Sequence, residues 1–103
     1  MSYASVESDI IRWAEARKII PNSTPDVQLL KAMSEMGELA DATIKNDKEA
    51  IIDSVGDVMV CLVNYCALQD INLVDCMEIA YDQIKNRKGT LLPNGLFVKS
   101  LSE

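Results

Sequence analysis

Histidine is absent from the 103 residues. That removes a histidine general base, a Ser–His nucleophilic pair and any His-ligated zinc site. Cysteine is scarce: Cys61, Cys66 and Cys76 show no C-x-x-C spacing and fall in apolar stretches. They read as small buried hydrophobes in a reducing compartment. Positive charge is in short supply, with 10 Lys and Arg against 16 Asp and Glu and a formal net charge of −6. This disfavours a nucleic-acid binder, although metal ions can still mediate contact with a nucleotide. No basic-then-apolar leader and no uninterrupted run near ~18 apolar residues is seen, so a cytoplasmic chain without a membrane span is expected. Repeats, linkers and low-complexity segments are also missing. At 49% hydrophobic and 25% charged residues the composition is that of a globular protein. Residues 1–103 read as one all-α domain, small enough that oligomerisation would help bury its surface.

Apolar periodicity predicts four helices. The first spans about Ser5 to Lys18, with Val6, Ile10, Trp13 and Arg17 on one side. After a loop at 19–23, Thr24-Pro25 starts a second helix that runs to about Lys45. Asn46–Asp47 ends it and caps a third, from about Lys48 to Gln69. That third helix is the most apolar, which suits a central position or a subunit interface and predicts a homodimer or homotetramer. Asn72 is positioned to cap a fourth, from about Leu73 to Arg87, with Gly89 stopping it. The remaining tail, with its Pro93-Asn94-Gly95 turn, is expected to be extended and draped on the bundle.

The acids concentrate on the second and third helices. Glu35 and Glu38 share one face, as do Asp53 and Asp57, and Asn64 falls within about 20° of the latter strip. Folding the pair back at Asn46–Asp47 brings these groups, with Asp41, into one zone where repulsion is costly unless cations neutralise it. Two readings fit the second helix, whose acids lie opposite Leu29, Leu30, Met33, Met36, Ala40 and Ile44: a ligand site or a solvated face. On the third helix the acids form a narrow strip in apolar surroundings, which favours a site. Gly56, unfavourable in mid-helix by about 1 kcal/mol relative to alanine, suggests close approach of a backbone or ligand. Oxygen donors alone favour Mg²⁺, with Mn²⁺ as the alternative, over zinc. Lys85, Arg87 and Lys88 fit either phosphate contact or favourable charge at a helix C-terminus. Trp13 fits either base stacking or the core.

The ordered set Glu35-Met-Gly-Glu38-Leu-Ala-Asp41-Ala, Asp53-Ser-Val-Gly-Asp57-Val and Ile84-Lys-Asn-Arg-Lys-Gly89, closed by Gly95-Leu-Phe-Val-Lys99, resembles the MazG family. These are all-α nucleoside triphosphate pyrophosphohydrolases, and the short phage and bacterial forms fit best, over about Ile10 to Lys99. The resemblance implies a four-helix bundle and Mg²⁺-dependent cleavage of a nucleoside triphosphate to monophosphate and pyrophosphate. The family's E-x-x-E falls on Glu35 and Glu38. Its E-x-x-D would fall on Ser54 and Asp57, and serine is a poor Mg²⁺ ligand, so Asp53 is the natural substitute. On this basis Glu35, Glu38, Asp53 and Asp57 hold the metal, and Glu35 or Glu38 orients or deprotonates the attacking water. Lys85 or Arg87 would steady phosphate charge, and Trp13 and Asn64 would contact the base. Two rivals stand beside this expectation: a nucleotide-binding module of the same fold that has lost turnover through Ser54, and a helical interaction protein.

Overall fold

The computed structural model describes residues 1–100. Helix α1 (Tyr3–Ala16) opens on a capping box in which Ser2 and Ser5 exchange side-chain and backbone hydrogen bonds. It thus begins two residues earlier than periodicity suggests, because the cap, not the first apolar residue, fixes the start. Where a loop is predicted, the chain forms one kinked turn, α2 (Ile19–Asn22), entered through Lys18 at φ 65°. Helix α3 (Pro25–Ile44) starts as expected, with the Thr24 hydroxyl accepting from the Val27 N–H and proline in the first turn. Asn46 takes a left-handed φ of 55°, and the Asp47 carboxylate accepts the Ala50 N–H to start α4 (Lys48–Leu68).

Helices α3 and α4 fold back as a hairpin that forms the largest contact in the chain; α1 lies on α4, with α2 and α5 (Leu73–Ile84) beside it. The N-terminus of α5 is secured differently from the expectation. Asn72 sits at the cap position without capping. Instead Glu7 of α1, buried, accepts from the N–H groups of Leu73 at 2.5 Å and Val74 at 3.4 Å. Both sides need this contact: the amides of a helix start lack partners and carry partial positive charge, and a buried carboxylate needs donors.

The tail departs from the expectation as well. Strands β1 (Gly89–Leu91) and β2 (Phe97–Lys99) pair antiparallel, with Gly89 opposite Lys99. The turn uses Gly95 at φ 91°, and the Asn94 side chain accepts from the Leu96 N–H. Gly89 belongs to this hairpin: a Cβ there would collide with the Val98 carbonyl and the Phe97 ring. Among the described residues the hairpin touches none of the helices. It is not draped on the bundle.

What is buried is small. Ala14, Ala32, Ala42, Val58, Cys61, Val63 and Cys66 form the core, while Leu30, Met33, Met36, Ile44 and Ile52 are exposed. The radius of gyration is 16.5 Å, against about 13 Å for a compact chain of this length. Helix α4 is also, by length and composition, apolar enough to cross a membrane, with a mean hydropathy of 1.6. Asp53 and Asp57 interrupt it, so it is not a continuous apolar run. Its packing against α3 and α1 buries only 33% of that apolar window.

Replacing Glu7 with alanine leaves two helix-start amides without their acceptor, and should cost about 2 kcal/mol of unfolding free energy. Urea denaturation of the variant beside the parent chain measures it.

Candidate functional site

The helical hairpin turns its polar edge inward. On α3 the residues facing α4 are Gln28, Ala32, Glu35, Leu39 and Ala42, at helical spacings of four and three. The apolar stripe of Leu29, Leu30, Met33 and Met36 faces away and is exposed. A solvated face would show the reverse arrangement, so for Glu35 that reading fails. Its side chain is only 14% exposed. Opposite, α4 presents Ser54, Asp57, Cys61 and Asn64 as a continuous strip, with Ser54, Cys61 and Asn64 buried.

Nearer the turn the two helices part into an open cleft of ≈ 320 Å³, lined by Glu38, Asp41, Lys45, Asp47, Asp53 and Ser54. Glu38 and Asp53 therefore face the same space. Ser54, at the position where glutamate is expected, is buried in the cleft wall, and the exposed Asp53 stands beside it. Gly56 has open space where its Cβ would be. No backbone of this chain approaches it, so close packing does not explain that glycine.

Crowded negative charge leaves its mark on the acids. Interaction with the neighbouring Glu38 carboxyl, then burial, raises the Glu35 pKa above its ordinary value. Burial, then the charges of Asp53 and Glu35, raise Asp57 likewise. Lys31 opposes both shifts, its ammonium lying 3.6 Å from Glu35 Oε1. Burial also raises the thiols of Cys61 and Cys66, the latter to about 11 with help from neighbouring Cys76.

Among the described residues two buried side-chain oxygens have no hydrogen-bond partner: Oε2 of Glu35 and Oδ1 of Asn64. Such atoms are costly when unsatisfied and mark where a cation or donor is wanted. An oxygen-only donor set, negative charge and an orphaned carboxylate oxygen fit Mg²⁺ or Mn²⁺ chemically. The ligands are not preassembled: among the described residues no three Asp, Glu or Cys side chains meet in metal-holding geometry.

The other predicted site residues are distributed unevenly. Asn64 lies on the Asp57 strip, two turns along α4. Trp13 is half-exposed on α1, with the Arg17 guanidinium 4.6 Å from its ring centroid. One face is thus already occupied. Lys85 and Arg87 follow α5, which touches α1 and α4 but not α3, and Lys85 pairs with Asp82 at 3.1 Å. The structure does not bring them to the acids of their own chain. Sequence reading missed Lys31 and Lys45; each lies four residues from an α3 acid, Glu35 and Asp41, and that spacing was the available signal.

A helical hairpin with inward carboxylates beside an acidic cleft offers the oxygen donors that suit a divalent cation. Residues 23–91 match the MazG nucleotide pyrophosphohydrolase domain, and the chain belongs to that family. The architecture is similar to that of the cyanophage S-2L MazG-like pyrophosphohydrolase, solved with dGDP and three catalytic Mn²⁺ ions per active site. The TM-score is 0.68 at 19% identity, over 97% of this chain and 98% of that one. A 55-residue stretch is 44% identical to an uncharacterised 18.2 kDa protein from the rep-hol intergenic region of Haemophilus phage HP1 (strain HP1c1). It covers 53% of this chain and 34% of that protein, so the match spans about a third of the relative's length.

The raised carboxyls have a consequence for stability. Because Glu35 and Asp57 hold a proton more tightly folded than unfolded, their contribution is complete at low pH. It is lost as pH rises from the ordinary carboxylate range through their raised values. In metal-free protein at pH 7, Glu35→Gln and Asp57→Asn should therefore each raise the melting temperature. At pH 4 the gain should shrink, and calorimetry at the two pH values tests both statements.

Proposed function

We propose that the chain is a divalent-metal-dependent nucleoside triphosphate pyrophosphohydrolase, releasing nucleoside monophosphate and pyrophosphate. The observation that carries this is Glu35, turned into the hairpin opposite Asp57 with one oxygen unpartnered, in a chain of the MazG family. Glu35, Glu38, Asp53 and Asp57 are the proposed metal ligands. Asp53 serves from the cleft in place of a glutamate at Ser54. Mg²⁺ or Mn²⁺ held there would supply Lewis acidity toward a phosphoryl oxygen and water. The Mn²⁺ and dGDP bound by the cyanophage protein support both the ion type and a nucleotide substrate.

Within this reading Glu38 is best placed to orient the attacking water and take its proton, since it lines the open cleft while Glu35 is enclosed. Asn64, with its unpartnered Oδ1, offers an acceptor to a base carrying an N–H donor. Trp13 has one ring face left for stacking. Lys85 and Arg87 are proposed phosphate contacts, and their distance from the acids of their own chain favours delivery to a second copy. A homodimer or homotetramer is supported by the outward apolar stripe of α3, the detached β-hairpin and the large radius of gyration.

Incubation with a panel of nucleoside triphosphates, with Mg²⁺, with Mn²⁺ and with chelator, should give metal-dependent pyrophosphate and monophosphate in equal amounts. Glu38→Gln and Asp57→Asn should each lower that turnover at least about 100-fold while circular dichroism stays helical. Nucleotide binding without release would instead favour a binding module limited by Ser54. Met33→Glu, in the middle of the exposed stripe, should shift the sedimentation coefficient to that of a smaller species.

A further inference from the structure

We propose that Lys31 is a positioning residue that works by exchange. Its ammonium neutralises Glu35 while the acidic groove lacks a divalent ion, and it passes to a phosphate oxygen of the nucleotide once the ion takes that carboxylate. This rests on the reading of the groove as the metal site.

The pair is built unlike an ordinary helix-surface bridge. Lys31 precedes Glu35 by four residues, the less favourable order for stabilising a helix, since glutamate before lysine suits the helix dipole better. Its carboxylate partner is enclosed while the lysine side chain is 61% exposed. At 3.6 Å the ammonium is held by charge but not locked by a short hydrogen bond. Its charge also bears on Asp57 and Cys61, so it acts across the hairpin onto α4. The other ion pairs among the described residues, Arg12–Asp9 and Lys85–Asp82, lie on α1 and at the end of α5. Among the described residues Lys31 is therefore the one cation in ion-pair distance of the groove acids.

A single positive charge cannot offset the carboxylates gathered there, and Glu35 keeps one buried oxygen unmatched beside it. A divalent ion satisfies that oxygen better and competes for the carboxylate. The displaced ammonium, on a flexible four-carbon stem at the groove edge, is then free to meet an incoming anion. Exchange explains why an exposed lysine is paired to an enclosed acid.

The test uses Lys31→Met, Lys31→Gln and Lys31→Arg in the full chain, each checked for an unchanged melting curve. Mn²⁺ binding without nucleotide is followed by electron paramagnetic resonance. Affinity for α,β-imido-dGTP is then measured at saturating Mn²⁺. The neutral variants should bind Mn²⁺ roughly threefold to tenfold more tightly, because a competing charge is gone, and the nucleotide at least about tenfold more weakly. Lys31→Arg should stay near the parent in both. Unchanged affinities would reduce the pair to a surface bridge and overturn the proposal, and so would joint weakening, which marks a purely structural role. Glu35→Gln is the control: if it loses Mn²⁺ binding while the Lys31 variants do nothing, only the exchange fails. If Glu35→Gln also binds Mn²⁺ normally, the acids do not hold the ion, and the functional reading falls with the exchange.

Discussion

Enclosure of a carboxylate between two antiparallel helices is the constraint on which the rest of this structure depends. Glu35 faces Asp57 with Glu38 and Asp53 close by, and the helices would separate if nothing opposed their repulsion. What opposes it is the small-residue contact around Ala32, Ala42, Val58 and Cys61, which lets the two backbones lie close together. Small side chains are the cost of that closeness. They bring the acids within range of one another but bury little apolar area.

The shortfall appears on the outside. Because Glu35 and its neighbours on α3 are turned inward, Leu29, Leu30, Met33 and Met36 have nowhere to go within one chain. A patch of this kind is unusual for a soluble monomer, and the proposed homo-oligomer would cover it. Acid site and apolar exterior are thus two sides of one choice of helix rotation. Turning α3 by half a revolution would bury the stripe and expel the acids into water, where they would hold a metal no better than free carboxylates.

The two long helices were legible in the sequence because their signals are local: Thr24-Pro25, the Asn46–Asp47 turn and a dense apolar pattern. The acids proposed as ligands lie on these two helices, so the same local signals place them together. Which face of α3 turns inward could not, since the helical wheel divides Leu30 and Met33 from Glu35 without saying which side meets α4. The Glu7 cap was illegible for a different reason: it joins residues 66 positions apart, and nothing local at Asn72 announces that its side chain turns to Asp75 and leaves the helix-start amides uncapped. The β-hairpin was half legible. Pro93-Asn94-Gly95 declares a turn, but strands of three residues carry too little periodicity to be seen. Lys85 and Arg87 were read from a motif, and a motif is silent on where α5 takes them.

The Glu7 contact also bears on the order in which the molecule comes together. The α3–α4 hairpin closes over a turn of a few residues, so it can form early and on its own. Docking α5 against α1 must wait for both ends of a 66-residue separation to meet, and the entropy of that closure is spent before the carboxylate finds its amides. A contact formed that late would contribute little to the folding transition state. Its strength is then felt almost wholly in how long the native chain stays closed, not in how quickly it is reached. In that order of events the first helix, though synthesised early, would act as the latch on the lifetime of the fold.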